Sequence, residues 1–319
     1  MAQKNKNLNV FQIFFKSIWF FFRNFFAYSE VMIFPVGGQF LGMAMILLPA
    51  FIYNQNSTLI LSATKNNIPL YLGILALCVV PGFIVFFKAF WEYLICYVSL
   101  NTITVHIMSN NKKEEIQAYS NRVKNRKHDY TILLSVFALI WLIASLAPLS
   151  VLALNVDPAF KPIALIGLYI MIFCGVGVVS YYLSLSYQVF AFETLSVVST
   201  LRRSMELVEK NFLRTVLLSL LVSIFVGSIM PELLNKLFQT SGLADTVIKP
   251  IESYVSLVVP NPRDLLKFFS FMKLATSNVN YEVAKMLLAT LVSLFVSQFL
   301  LPIGSIAYTL LYQDILKRK

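Results

Sequence analysis

Six stretches of this chain carry no charged side chain: residues 31–53, 68–87, 131–154, 162–192, 215–230 and 286–313. A hydrocarbon layer of about 30 Å is crossed by about 20 helical residues, so five of the six are long enough to span a bilayer outright. The fifth is shorter and is extended to 211–230 by Asn211, Phe212 and Leu213, with the Arg214 guanidinium snorkelling towards headgroups. In hydrocarbon every backbone N–H and C=O needs a partner inside the segment, which for runs of this length means helices. The sequence thus reads as an all-α polytopic membrane protein with six transmembrane helices, forming a single transmembrane domain over residues 1–319. Pro35, Pro49, Pro81, Pro148 and Pro302 fall inside these runs, where neighbouring helices can satisfy the freed carbonyls and kinks are expected rather than breaks.

Composition agrees with lipid as the main solvent: 58% of the residues are hydrophobic and only 13% charged, with a mean hydropathy of +0.74. A net charge of +11 would suggest nucleic acid for a soluble chain. Here the basic residues cluster between apolar runs, so nucleic acid is not an expected partner. The N-terminal tail, the loops after the second and fourth runs, and the C-terminus together carry 17 of the 26 Lys and Arg residues, against eight on the opposite side. This bias places both termini in the cytoplasm. The sequon Asn56-Ser57-Thr58 then falls outside, where it matters only in a glycosylating compartment.

Residues 9–26 read as an interfacial helix with Asn9, Gln12, Lys16 and Arg23 along one stripe and aromatic residues over most of the rest. Lys16 and Arg23 interrupt what a secretory signal would need as an apolar centre, so this segment is expected to be retained. A second amphipathic helix precedes the fifth run. In TLRRSMELVEKNF, residues 200–212, the spacing of Leu201, Met205, Val208 and Phe212 predicts an apolar stripe, with Arg202, Arg203, Glu206, Glu209 and Lys210 elsewhere and a Glu206–Lys210 pair in the favourable order. Such a helix holds the next span in register, or binds headgroups or a partner.

The two segments also match each other. Lys16-Ser17, five residues, then Arg23-Asn24-Phe25-Phe26 parallels Arg203-Ser204, five residues, then Lys210-Asn211-Phe212-Leu213, and each leads into a span. A fainter copy, Ser120 followed by Arg126, precedes the third run. The pattern suggests three parallel repeats, each an amphipathic helix followed by a transmembrane hairpin, arranged about a pseudo-threefold axis. Positive-inside bias alone would account for the basic residues but not for the shared Ser and Asn-Phe.

Glu193 followed by TLRRSMELVEKNFLRT, together with the C-terminal LLYQDILKRK, resembles the multi-span membrane domain attached to some bacterial glycerophosphodiester phosphodiesterases and related six-span bacterial proteins. The resemblance implies a helical module of the bacterial cytoplasmic (inner) membrane. It does not imply phosphodiesterase activity: neither His106 nor His128 is followed by the Arg-Gly that opens the catalytic barrel, and no comparable stretch of residues is left for that barrel.

Residues 231–285 read as a long outer loop. Within it, Asn261-Pro262 and Asp264 form a helix start, and Leu265, Leu266, Phe269 and Met272 form an apolar side for a helix that lies on the outer surface, caps the bundle, or serves as a gate or docking element. Charges near spans are the natural candidates for function, because burying them is costly. Lys88 and Glu92, four apart, form a possible intramembrane pair at an interface or a buried site. Glu92, Glu193, Arg202 and Arg203 form a candidate charged cluster at the cytoplasmic face. Cys78, Cys96 and Cys174 lack ligand spacing and read as small buried hydrophobes. Neither H-E-x-x-H, a phosphate loop nor G-x-S-x-G occurs, so no catalytic residue, metal or cofactor is assigned.

Two functions fit. One is a non-catalytic membrane module that organises lipids, acidic headgroups among them, or recruits a protein partner. The other is a permease or channel with a pathway between the repeats, lined from Gln39, Ser145, Ser180, Ser184, Ser186, Gln188 and Gln298. The small-x-x-x-small pair Gly38 and Gly42 implies close helix packing in either case.

Overall fold

The computed structural model describes residues 8–64, 67–109, 125–147, 149, 160–258 and 278–318. Among the described residues all regular structure is helical, and six helical stretches are long and apolar enough to cross a membrane. The chain is an all-α, multi-pass integral membrane protein.

A short amphipathic helix α1 (Val10–Arg23) leads into α2 (Phe25–Gln55), which runs through both Pro35 and Pro49 without a break. After the short α3 (Ser57–Ala63), of about two turns, comes α4 (Ile68–Ser109), whose 42 residues extend about 63 Å at 1.5 Å each, far beyond the expected end at residue 87. Lys88 and Glu92 therefore sit in mid-helix. Next come α5 (Lys127–Leu146) and α6 (Lys161–Tyr182). The expected continuous run 162–192 is interrupted at Leu183–Leu185 before α7 (Ser186–Phe192).

The amphipathic α8 (Val197–Glu209) is capped by the Ser196 hydroxyl, which accepts from the Ser199 N–H, and it leads into α9 (Phe212–Ile224). One wide π turn, Phe225–Ile229, joins α9 to α10 (Met230–Thr240), with the Met230 N–H donating to the Phe225 carbonyl. The cause stands at the next residue. Pro231 has no N–H for the carbonyl four residues back and its ring would strike that carbonyl, so the backbone widens by one residue instead of breaking. Gly242, with φ of +74°, ends this long helix and starts α11 (Leu243–Val258). The chain closes with α12 (Val279–Phe299) and α13 (Leu301–Lys317), separated at Leu300.

Much of the expected outer loop 231–285 is thus helical: α10 continues the fifth span, and α11 packs on α12. The helix expected from Asn261 onward lies outside the described residues, as do Ser120 and most of the basic loop around it.

The chain forms two compact units. The first comprises Met1–Tyr28, Leu94–Val222 and Pro302–Lys319. Its core mixes apolar side chains such as Leu207, Leu218, Ile303 and Ile306 with completely buried polar ones, among them Ser17, Asn101, Gln188, Ser204 and Thr309. The second comprises Ser29–Tyr93 and Ser223–Leu301. There, Gly38, Gly42 and Gly82 let α2 and α4 meet backbone to backbone, since a Cβ on Gly42 would come 2.6 Å from the Phe86 nitrogen. Elsewhere in this unit Ala244, Ile248 and Val255 of α11 close against Ala284 of α12.

Candidate functional site

The two matched segments share their buried serine and their helix-closing asparagine, although Ser17 bonds within its own helix and Ser204 bonds to another. Ser17 and Ser204 are both completely buried, their hydroxyls donating to the carbonyls of Phe14 (2.6 Å) and Tyr182 (3.0 Å). Asn24 and Asn211 each fold the side-chain amide back to the carbonyl four residues earlier, Phe20 (3.0 Å) and Leu207 (3.1 Å). An aromatic residue, Phe25 or Phe212, then begins the next helix. The shared Ser and Asn-Phe are the parts of a joint: a small buried residue allows close approach, and the Asn amide satisfies a carbonyl that the helix end leaves open.

Both amphipathic helices are tied down by arginine–carboxylate contacts within the first unit. Asp314 on α13 is 7% exposed and accepts from the Leu8 N–H (3.1 Å), Arg214 (2.8 Å) and Arg318 (3.0 Å); Arg214 also donates to the Leu8 carbonyl (2.8 Å). The entry to α1, the start of α9 and the end of α13 are thus joined at one carboxylate. Glu193, just past α7, accepts from the Tyr312 hydroxyl (2.7 Å) and faces Arg203 of α8 at 3.4 Å. Arg126 completes the arrangement. Its guanidinium lies over the Phe190 ring, 4.1 Å from the centroid, and donates to the carbonyls of Phe190, Glu193 and Leu195. Beside it a cavity of about 240 Å³ is lined by Asn125, Arg126 and residues 190–194.

Of the candidate charged cluster, Glu193 and Arg203 are brought together, whereas Arg202 projects outward and has no ion pair among the described residues. Glu92 is exposed on α4 and belongs to the second unit. Lys88 directs its ammonium to the Phe34 ring, 5.7 Å from the centroid, and among the described residues no ion pair joins it to Glu92. This fits the unfavourable order of that pair along a helix. Glu206 likewise pairs with Arg203 at 3.4 Å, rather than with Lys210.

The buried face of α8 also differs from the expected stripe. It runs through Thr200, Ser204, Leu207 and Val208, while Met205 is exposed. Small hydroxyl residues share this face with Leu207 and Val208, and Ser204 comes close enough to reach the Tyr182 carbonyl. Cys96 is buried as expected, but Cys78 and Cys174 are exposed.

Asp314, Arg214, Arg126 and Tyr312 were not among the sequence candidates. A signal for the acids exists in the second helix of each hairpin. Ser184-Leu185-Ser186-Tyr187 on one and Ser305-Ile306-Ala307-Tyr308 on another match, and the residue nine after each serine is acidic: Glu193 and Asp314. Ser99-Leu100-Asn101 on α4 is the third copy, and there the ninth residue is Met108. The burial pattern repeats with it, since Leu100-Asn101, Leu185-Ser186 and Ile306-Ala307 are all completely buried.

Of the polar residues proposed to line a pathway, Ser180 is half-buried and the other six divide into two groups. Gln39 and Ser145 bond back to carbonyls of their own helices, Pro35 and Trp141, at 2.8 Å each. The hydroxyls of Ser184 and Ser186, both amide atoms of Gln188 and the Gln298 carbonyl oxygen are buried with no partner among the described residues. Among the described residues no group of three or more His, Cys, Asp or Glu side chains could hold a metal ion. Comparison with known proteins finds no family model, no curated protein and no solved structure that matches this chain.

Proposed function

We propose that the protein is a non-catalytic membrane module that organises lipids or recruits a partner at the cytoplasmic face of the bacterial inner membrane, with both termini on that side. One observation carries this reading: α1 is built with three faces. Val10, Ile13, Phe14 and Phe21 are buried against the protein, while Phe11, Phe15, Trp19 and Phe22 recur at helical spacing and are exposed. Gln12, Lys16 and Arg23 occupy the stripe between. An exposed aromatic stripe bordered by basic residues is the composition of a helix that lies in a headgroup layer. The Asp314–Arg214–Leu8 contacts hold it in a fixed attitude to the bundle, as an organising surface requires. The resemblance to membrane domains of glycerophosphodiester phosphodiesterases fits a module of this kind.

The test is extraction of the intact protein into native lipid discs and mass spectrometry of what accompanies it. A stoichiometric protein or a strongly enriched acidic lipid supports the module, and a lone protein in lipid of bulk composition overturns it.

A second reading, a permease or channel, is favoured by the break at Leu183–Leu185 and the unpartnered Ser186 and Gln188 beyond it. Buried amides without partners are costly in an apolar setting, and water or a polar solute would satisfy them. In that case cysteines placed at Ser186 and Gln188 react with water-soluble thiol reagents in membranes; for a closed module they do not.

A further inference from the structure

We propose that the groove between α1, the end of α4 and α13 binds the headgroup of an acidic phospholipid, with Lys16 and Arg23 as its cationic contacts. The proposal rests on the module reading and specifies its ligand. The groove encloses about 580 Å³, within the usual range for ligand sites, and belongs entirely to the first unit. Its charged and polar members are Lys16, Arg23 and Asn24; Trp19, Phe20 and Met108 are among its apolar ones. Met108 also borders a second groove of about 510 Å³ that carries Lys317 and Leu316, so apolar surface with a basic margin continues beyond the first.

The three serine-marked helices differ in charge at one position. In two of them the ninth residue after the serine is a carboxylate neutralised by arginine: Glu193 facing Arg203, and Asp314 facing Arg214 and Arg318. Arg203 is the residue that matches Lys16 in the paired segments. In the third helix the ninth residue is Met108, and it lines this groove. Lys16 and Arg23 are exposed, and among the described residues neither has an acidic partner within ion-pair distance. Arg23 instead lies 5.0 Å from the Trp19 ring centroid. That contact orients the guanidinium and leaves its donors free. Two cations, an Asn and a planar aromatic over an apolar floor complement a phosphate diester attached to acyl chains, and the exposed Phe15, Phe22 and Phe26 provide the adjoining surface for those chains.

Trp19 is one of three tryptophans, so Trp91→Phe with Trp141→Phe leaves it as a sole reporter inside the groove. The full chain is reconstituted in phosphatidylcholine vesicles containing the same minor fraction of either brominated phosphatidylglycerol or brominated phosphatidylcholine. Quenching of Trp19 is expected to be several-fold stronger with the acidic lipid. Lys16→Gln with Arg23→Gln should reduce it to the zwitterionic level, Lys16→Arg should retain it, and Arg202→Gln with Lys210→Gln, which remove equal charge outside the groove, should leave it intact. Each variant is compared at unchanged helical circular dichroism. Equal quenching by both lipids overturns the proposal. So does an excess lost as readily in the Arg202/Lys210 variant, which would be general surface charge, or one abolished by inorganic phosphate at constant ionic strength, which would assign the groove to free phosphate. Native lipid discs separate this from the underlying reading. If Lys16→Gln/Arg23→Gln protein keeps its partner or lipid enrichment unchanged, the groove assignment fails and the module stands; if wild-type protein carries neither, the module fails.

Discussion

Asp314 has the most demanding position of any charged residue described. Its carboxylate is nearly removed from solvent and accepts from the distant Leu8 N–H and Arg214 guanidinium and from Arg318, four residues further along the sequence. Removing one member of such a cluster leaves the others desolvated without compensation, which costs about 3 kcal/mol or more. Asp314→Ala should therefore lower the thermal midpoint of the detergent-purified protein by several degrees, with Asp314→Asn intermediate because it keeps an acceptor for the Leu8 N–H. Glu193→Gln should change the midpoint far less, since the Glu193–Arg203 pair is about a quarter exposed at both ends and 3.4 Å apart. A midpoint equally insensitive to both acids would remove Asp314 as the tie between α1, α9 and α13. The two acids also show what could be read in advance. Glu193 stood out because it ends a long uncharged run immediately before an amphipathic helix. Asp314 lies in a C-terminal stretch with Lys317 and Arg318, where an acid normally reads as a solvated neighbour, and its main partner is 100 residues away in sequence. Only the spacing from Ser305 singles it out, and that spacing acquires meaning once Glu193 is seen to share it.

Elements were legible to the extent that their periodicity was decisive. The apolar runs located the long helices, but not the points where α6 gives way to α7 or where α9 widens at the π turn, because hydropathy does not register a local change in backbone hydrogen bonding. Amphipathicity found α8 and part of its buried face, Val208 with the partly buried Leu201, but not Thr200 and Ser204, because apolar size is a poor guide where two helices must come close. Gly38 and Gly42 were informative for the same reason. The structure puts them against Ala89 and Phe86, and Gly82 packs with equal closeness against Ile46 and the Gly42 carbonyl. A side chain at Gly42 meets backbone atoms that cannot rotate away. Gly42→Leu should consequently destabilise the α2–α4 pair by about 3 kcal/mol, at the upper end of overpacking costs. Gly37→Ala, where a Cβ would meet nothing within 4 Å, should be tolerated. Melting in detergent distinguishes the two, and equal behaviour would show that the close approach does not limit stability.

At the scale of the whole molecule, membrane class follows from hydrocarbon thickness and backbone chemistry, whereas the sidedness follows from charge alone and is open to a direct test. The positive-inside rule predicts that the connections richest in basic residues lie in the cytoplasm. Two exposed positions report on opposite sets: Asn56, between α2 and α3, and Glu209, at the end of α8. In a background with Cys78, Cys96 and Cys174 replaced by Ala, Asn56→Cys should react with a membrane-impermeant maleimide applied to intact cells, or to spheroplasts if an outer membrane is present. Glu209→Cys should react only after the membrane is permeabilised. The reverse pattern would place α1, its aromatic stripe and the Lys16–Arg23 groove on the outer surface. The acidic inner leaflet would then be out of reach, and the basic bias would have to be explained by the protein's own carboxylates, Glu193 and Asp314, rather than by insertion. Labelling of both positions in intact cells would contradict the count of spans between them, since residues 56 and 209 are separated by three of the six apolar stretches and an odd number of crossings must put them on opposite sides.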